Sequence, residues 1–279
     1  MAGSRMFHAA LSRFAAALLF MTGPAGTAAA EDTPVDLELI LAVDVSRSID
    51  REEARLQRQG YIQAFRDTEL MRAIGSGFIG KIAVVYVEWA GSHYAKVVVP
   101  WTLLDGEKNA RAFADTLERG SPPGSARRTS ISNAIAFSLP LFDGNGFAGT
   151  RRVIDVSGDG PNNDGELVTV VRAQALAAGV TINGLPIMGN SNSIASRYNL
   201  PDLDLYFRDC VIGGPGAFME VALDFPDFAR AVRRKLILEI AGLTPRRADR
   251  VMLAQAKPAD RIAPPCNIGE QIMLRYEDP

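Results

Sequence analysis

From residue 35 onward the chain alternates apolar runs with amphipathic stretches. Residues 37–45 (LELILAVDV) are almost continuously apolar, the pattern of a strand buried on both faces. Residues 81–89 (KIAVVYVEW) and 96–104 (KVVVPWTLL) read as two more strands, and the short link between them predicts an antiparallel hairpin. Pro100 puts the third strand at an edge or a bulge. Residues 152–157 (RVIDVS), 180–187 and 217–223 (AFMEVAL) supply further strands. Helical spacing covers residues 50–65, 107–119, 129–142, 166–178, 203–211 and 227–241. Thr129 and Ser130 are good amino-terminal caps, and Gly179 and Gly242 are natural stops. The alternation predicts an α/β fold: a doubly wound, mostly parallel sheet with one antiparallel edge strand and helices on both faces. One domain is expected over residues 31–243. Residues 244–279 carry five prolines and read as a tail packed on it, with residues 271–276 (QIMLRY) alternating like an edge strand.

The first thirty residues read differently. Arg5 and Arg13 precede or flank a short apolar stretch (FAAALLFM, residues 14–21), Gly and Pro break it, and Ala28-Ala29-Ala30 offers a cleavage site before Glu31. This is the layout of a signal peptide, and the apolar run is short for a membrane span. With no Cys after it and no twin arginine before it, export of a soluble chain to the outside or the periplasm is expected. Composition narrows the function. At 47% hydrophobic and 22% charged residues the chain is no disordered segment, and a net charge of −2 argues against a basic nucleic-acid binder. The two cysteines, Cys210 and Cys266, form an even pair in an exported chain and are expected to be bonded. His8 leaves with the leader, so His93 alone remains, too few for a histidine metal site.

Candidate chemistry lies at the strand ends. The first strand finishes in Asp44-Val45-Ser46-Arg47-Ser48. Ligands of parallel sheets sit at such carboxyl ends, near a switch in strand order. Thr129, opening a helix after a long loop, and Asp159, after strand 152–157, belong to equivalent ends. Two carboxylates and three hydroxyls, without nitrogen or sulfur, form an oxygen donor set for a hard cation.

These pieces, in this order, resemble the metal-ion-dependent adhesion site of von Willebrand factor A-type (vWA) domains, over about residues 35–242. The signatures AVDVSRSID (42–50), YVEWA (86–90), VIDVSGDGPNN (153–163) and CVIGGPGAF (210–218) are similar to a bacterial family of secreted vWA-like proteins known as a domain of unknown function. The resemblance implies Ser46 and Ser48 as direct ligands, Thr129 as a ligand in a partner-bound state, and Asp44 and Asp159 as direct or water-mediated ligands. It implies Mg2+ as the default ion, with Mn2+ or Ca2+ as alternatives, and a protein partner that gives the metal an Asp or Glu carboxylate. The expected role is binding and not catalysis. A metal-assisted hydrolase and a metal-free scaffold are the rivals.

Other residues carry two readings each. Arg127-Arg128 departs from the small residues usual in that family; the pair either weakens the metal, draws in an acidic partner or points into solvent. Asp155, within an apolar strand, either supports the site or pairs with an arginine. Asn162, Asn163 and Asp164 either steer the metal loop or a second cation or simply form a turn, and Glu88 is either near the metal rim or a polar edge residue. The run Gly213-Gly214-Pro215-Gly216 lacks the Lys-Ser/Thr ending of a phosphate loop.

Overall fold

The computed structural model describes residues 31–189, 200–244 and 261–277. The expected leader, residues 1–30, lies outside the described residues. In chain order the elements are β1 (Thr33–Val35), β2 (Leu37–Asp44), α1 (Arg51–Phe65), α2 (Thr68–Gly75), β3 (Ile82–Trp89), β4 (Ala95–Leu104), α3 (Glu107–Arg119), α4 (Ile131–Ser138), β5 (Phe147–Gly149), β6 (Arg152–Gly158), α5 (Val168–Ala177), β7 (Thr181–Pro186), α6 (Leu203–Tyr206), α7 (Phe228–Ile240) and α8 (Ile268–Glu277). A 3-10 turn extends α4 over Leu139–Phe142, since Pro140 lacks the N–H that an α-helix needs. The main sheet runs β4-β3-β2-β6-β7 and is parallel except for β4. This is the doubly wound α/β architecture the alternation predicts, with the Pro100 strand at the edge.

Every residue of β2 and β3 is buried, which is why those segments are continuously apolar. Their side chains divide by parity. Leu37, Leu39, Leu41 and Val43 pack with residues of α1, α2, α3 and α7; Ile40 and Ala42 pack with residues of α4, α5 and α6. Each such fully buried aliphatic side chain contributes about 1.5–3 kcal/mol. The chain winds outward from β2 to β3 and β4, then returns to β6 and β7 on the other side. The carboxyl ends of β2 and β6 therefore flank the switch point, where an open α/β sheet leaves a crevice.

Three segments depart from the expected pattern. Residues 217–223 make only two isolated bridges to the β7 region, Gly184 with Met219 and Ile187 with Ala222. The Asn183 side chain captures the Phe218 N–H at 2.9 Å and interrupts the ladder. Residues 271–276 are helical, within α8, and not an edge strand. Pro264-Pro265 precede that helix, Asn267 accepts from Gln271 N–H, and Ile268 packs on the core. Apolar residues in so short a run fit both periods. Helix α2 carries its own start signal, Asp67 accepting from Glu69 N–H at 2.7 Å.

Asp155 pairs with a lysine and not an arginine. Lys235 Nζ, fully buried on α7, lies 2.6 Å from Asp155 and 3.3 Å from Glu239. Asn183 donates to Glu239 at 2.6 Å. Burial pushes the Glu239 carboxyl up to about 7 against the opposing pull of Lys235. This buried cluster joins α7 to β6 and β7. Replacing Lys235 by Met strands two buried carboxylates and is expected to cost about 3–5 kcal/mol. Urea unfolding measures it; a loss under about 1 kcal/mol would refute the clamp.

Candidate metal centre

Asp44 is the last residue of β2, and Asp159 follows β6 directly. Parallel pairing of β2 with β6, in which Val43 faces Ser157, brings both carboxylates to the switch point. Between them lies the turn that leads into α1. Ser46 N–H donates to Asp44 Oδ1 at 2.7 Å, Ser46 Oγ and Ser48 Oγ are 2.9 Å apart, and Ser48 Oγ donates to Asp159 Oδ1 at 2.7 Å. Thr129 Oγ1 donates to Ser46 Oγ at 3.4 Å. The structure thus brings Asp44, Ser46, Ser48, Thr129 and Asp159 together. Ser46 and Ser48 do not cap α1: Asp50 does, in a reciprocal box with Glu53.

The electrostatics are those of a site short of positive charge. Asp44 is fully buried, and its Oδ2 has no hydrogen-bond partner. Burial, then the nearby charge of Asp159, raises the Asp44 carboxyl well above the usual range. Burial pushes Asp159 up to about 6, against the opposing hydrogen bond from Ser48. An unsatisfied buried oxygen beside a second carboxylate fits a cation at that point. Among the described residues no three His, Cys, Asp or Glu side chains converge, so hydroxyls would make up most of any donor set here.

The loops that carry the donors are held from below by residues whose role the sequence did not reveal. Glu88 is no polar edge residue: it is buried at the end of β3, where it accepts from Arg58 of α1 and from Gly124 N–H at 3.1 Å and forms an ion pair with Lys96 at 3.6 Å. Arg58 also donates to the Ser121 carbonyl, so one guanidinium holds the loop that ends at Thr129. Its only sequence signal is its place among Ala54, Tyr61, Ile62 and Phe65 on the buried face of α1. Gln57 donates to the Asp44 carbonyl at 3.3 Å.

Asn162 and Asn163 do more than turn the chain. Asn163 accepts from Thr129 N–H at 2.9 Å, while Asn163 N–H donates to the Thr129 carbonyl at 2.8 Å. Asn162, fully buried, accepts from Ser132 N–H at 2.9 Å and donates to Glu270 of α8 at 2.7 Å. Tyr206 OH accepts from Asn162 N–H at 3.2 Å and donates to the Cys266 carbonyl at 3.4 Å. A Cβ on Gly269 would overlap the Asn162 carbonyl, so α8 and this loop touch backbone to backbone. The expected Cys210–Cys266 disulfide is present and anchors α8 there.

Residues 34–244 match the family model described as "Protein of unknown function (DUF1194)". No protein with a curated description matches the sequence. Similar solved structures include proximal thread matrix protein 1 from the mussel byssus, 16% identical over 76% of this chain and 49% of that one, with a TM-score of 0.54. The pilus adhesin SpaC from Lactobacillus rhamnosus GG is 13% identical over 76% of this chain and 31% of that one, at 0.52. A von Willebrand factor type A structure from Catenulispora acidiphila is 15% identical over 74% and 43%, at 0.50. This chain spans about half the length of the mussel protein and less of the other two. The likeness is one of fold, and the fold is of the vWA type.

Reducing Cys210–Cys266, or replacing both cysteines by Ala, is expected to lower stability by about 2–4 kcal/mol. It should also speed amide exchange at residues 129–133 and 160–166, which α8 braces. Unchanged protection there after reduction would show that the tail helix does not support the site.

Proposed function

The chain belongs to the bacterial family described as "Protein of unknown function (DUF1194)", and on that premise we propose that it is an exported vWA module that binds a protein partner through a divalent cation. The observation that carries the reading is the convergence of five oxygen-bearing side chains around the unsatisfied Asp44 Oδ2. Asp44, Ser46, Ser48, Thr129 and Asp159 would hold the ion, with Mg2+ the default for hard oxygens and Mn2+ or Ca2+ as substitutes. One structure of the mussel protein is described as having a zinc-occupied MIDAS motif, which supports a divalent ion at the corresponding place.

Bound there, a divalent cation supplies a Lewis-acidic position open to a carboxylate from outside. The chain's own part is to set the charge and the shape of that position. Asp44 and Asp159 together balance two positive charges, and the three hydroxyls add none, so an incoming carboxylate meets no surplus negative charge from the ligands. Arg58, Glu88, Asn162 and Asn163 fix the loops that present those hydroxyls. Binding without bond breaking is favoured by what surrounds the site. Among the described residues both cysteines are in the disulfide, and the only histidine, His93, is exposed in the β3–β4 hairpin.

Export is supported by the leader-like composition of residues 1–30 and by the disulfide. Among the described residues no helix is long and apolar enough to cross a membrane. We take residues 31–243 as the binding domain and residues 244–279 as a tail that braces it.

Calorimetric titration of Mg2+ is expected to give heat with the wild type and none with Asp44→Ala; no heat with either would favour a metal-free scaffold. The pH dependence follows from the two raised carboxyls. In the metal-free protein their protonation favours the fold fully below about pH 4; the Asp159 contribution fades as pH rises through about 6, and that of Asp44 is likewise lost only above its ordinary range. The ion needs both groups ionised. A saturating excess of Mg2+ should therefore raise Tm by about 5–10 °C near pH 8 and by little near pH 5. A Tm gain independent of pH would contradict the assignment.

A further inference from the structure

A pocket of about 420 Å3 opens beside the donor cluster, lined by residues 91–94 of the β3–β4 hairpin, residues 126–128 and Asp164. Its walls are continuous with the donors. Arg47, between the two serines, donates its N–H to the Ala126 carbonyl at 2.9 Å, and Thr129 follows Arg128 directly. Ser130 N–H donates to the Ala90 carbonyl at 2.8 Å, which ties the hairpin to the same loop.

The loop is held in a costly conformation. Arg128 has φ of 69°, the only non-glycine residue with a positive φ among those described, at a cost of about 1–2 kcal/mol. Gly91 makes that position reachable: a Cβ there would lie 2.5 Å from the Arg127 carbonyl oxygen. Asp164 accepts from Ser92 N–H at 2.7 Å and interacts electrostatically with Arg128, so those two charges offset one another. Arg127, with Arg47 across the turn, is exposed. At the start of α1 the acidic groups are already engaged, Asp50 with Glu53 in the capping box and Glu52 with Arg55 in an ion pair. The rim toward this pocket is thus basic.

We propose that the pocket receives a second carboxylate of the partner, so that the ligand is an acidic protein segment with two carboxylates two residues apart. The inference rests on the metal reading, in which the first carboxylate meets the ion. Thr129 and Arg127 lie two residues apart and thus within about 7 Å. In an extended segment, side chains two positions apart share a face at the same spacing. A Glu-x-Glu or Asp-x-Asp segment therefore spans from the ion to Arg127, and His93 also lines the pocket.

The test uses the full chain with Mg2+ and two blocked synthetic peptides, one containing Glu-Gly-Glu and one Glu-Gly-Gln. Mg2+ heat is measured first; its absence sinks the metal reading before any peptide is added. With Mg2+ bound, the two-carboxylate peptide is expected to bind about fivefold more tightly than the other. Arg127→Gln should erase that preference while leaving Mg2+ heat, Tm and the affinity for the single-carboxylate peptide unchanged. Three results would overturn the proposal: equal binding of both peptides to the wild type, a preference that survives in Arg127→Gln, or no binding of either peptide at millimolar concentration to the Mg2+-loaded protein.

Discussion

Parallel pairing of β2 with β6 forces Asp44 and Asp159 to the same end of the sheet, where burial makes ionising either of them costly. Like charges about 4 Å apart repel by about 4 kcal/mol in surroundings of intermediate polarity, and removal from water adds to that. The fold answers in part. Ser46 N–H and the Ser48 hydroxyl each take one carboxylate oxygen, and Asp44 Oδ2 is left over. A small, hard positive charge at this point would answer both the unpartnered oxygen and the carboxylate beside it.

Keeping these groups in place requires rigid loops, and the molecule builds them from buried polar side chains. Arg58 reaches from α1 to Glu88 at the end of β3 and to the loop that leads to Thr129. Asn162 and Asn163 lock the segment after Asp159 against the start of α4, their side chains accepting from Ser132 and Thr129 N–H and Asn163 N–H donating to the Thr129 carbonyl. Each of these side chains makes at least one hydrogen bond to backbone, so the loops hold their shape without regular secondary structure. The tail then covers this layer, with Glu270 on Asn162 and a disulfide beneath. Away from the loops a second buried cluster, Asp155 with Lys235 and Glu239, fastens α7 to the sheet. Helix α1 packs against α7 and also carries Arg58, so core packing and loop geometry share an element.

The α/β class, the edge strand at Pro100 and the Asp-x-Ser-x-Ser turn were legible because they rest on local chemistry. Apolar runs that are continuous must be covered on both faces, and a strand that ends in small hydroxyl residues must open into a turn. The likeness of the whole set to an adhesion site carried the grouping of Asp44, Ser46, Ser48, Thr129 and Asp159. Misreadings occurred where local patterns fit two outcomes. Residues 271–276 are short enough for either period and became a helix. Residues 217–223 lost a regular ladder to a side chain on another strand.

What only tertiary structure decided is the choice of partner for each buried polar group. Nothing near Asp155 in the chain names Lys235, nothing near Glu88 names Arg58, and nothing near Asn162 names Glu270. Periodicity and capping act over one or two turns of chain. A buried charge is matched instead by whichever distant segment the packing of helices on the sheet delivers within hydrogen-bond reach. Strand order belongs to the same class: it alone set β6 beside β2, and so put the second carboxylate next to the first.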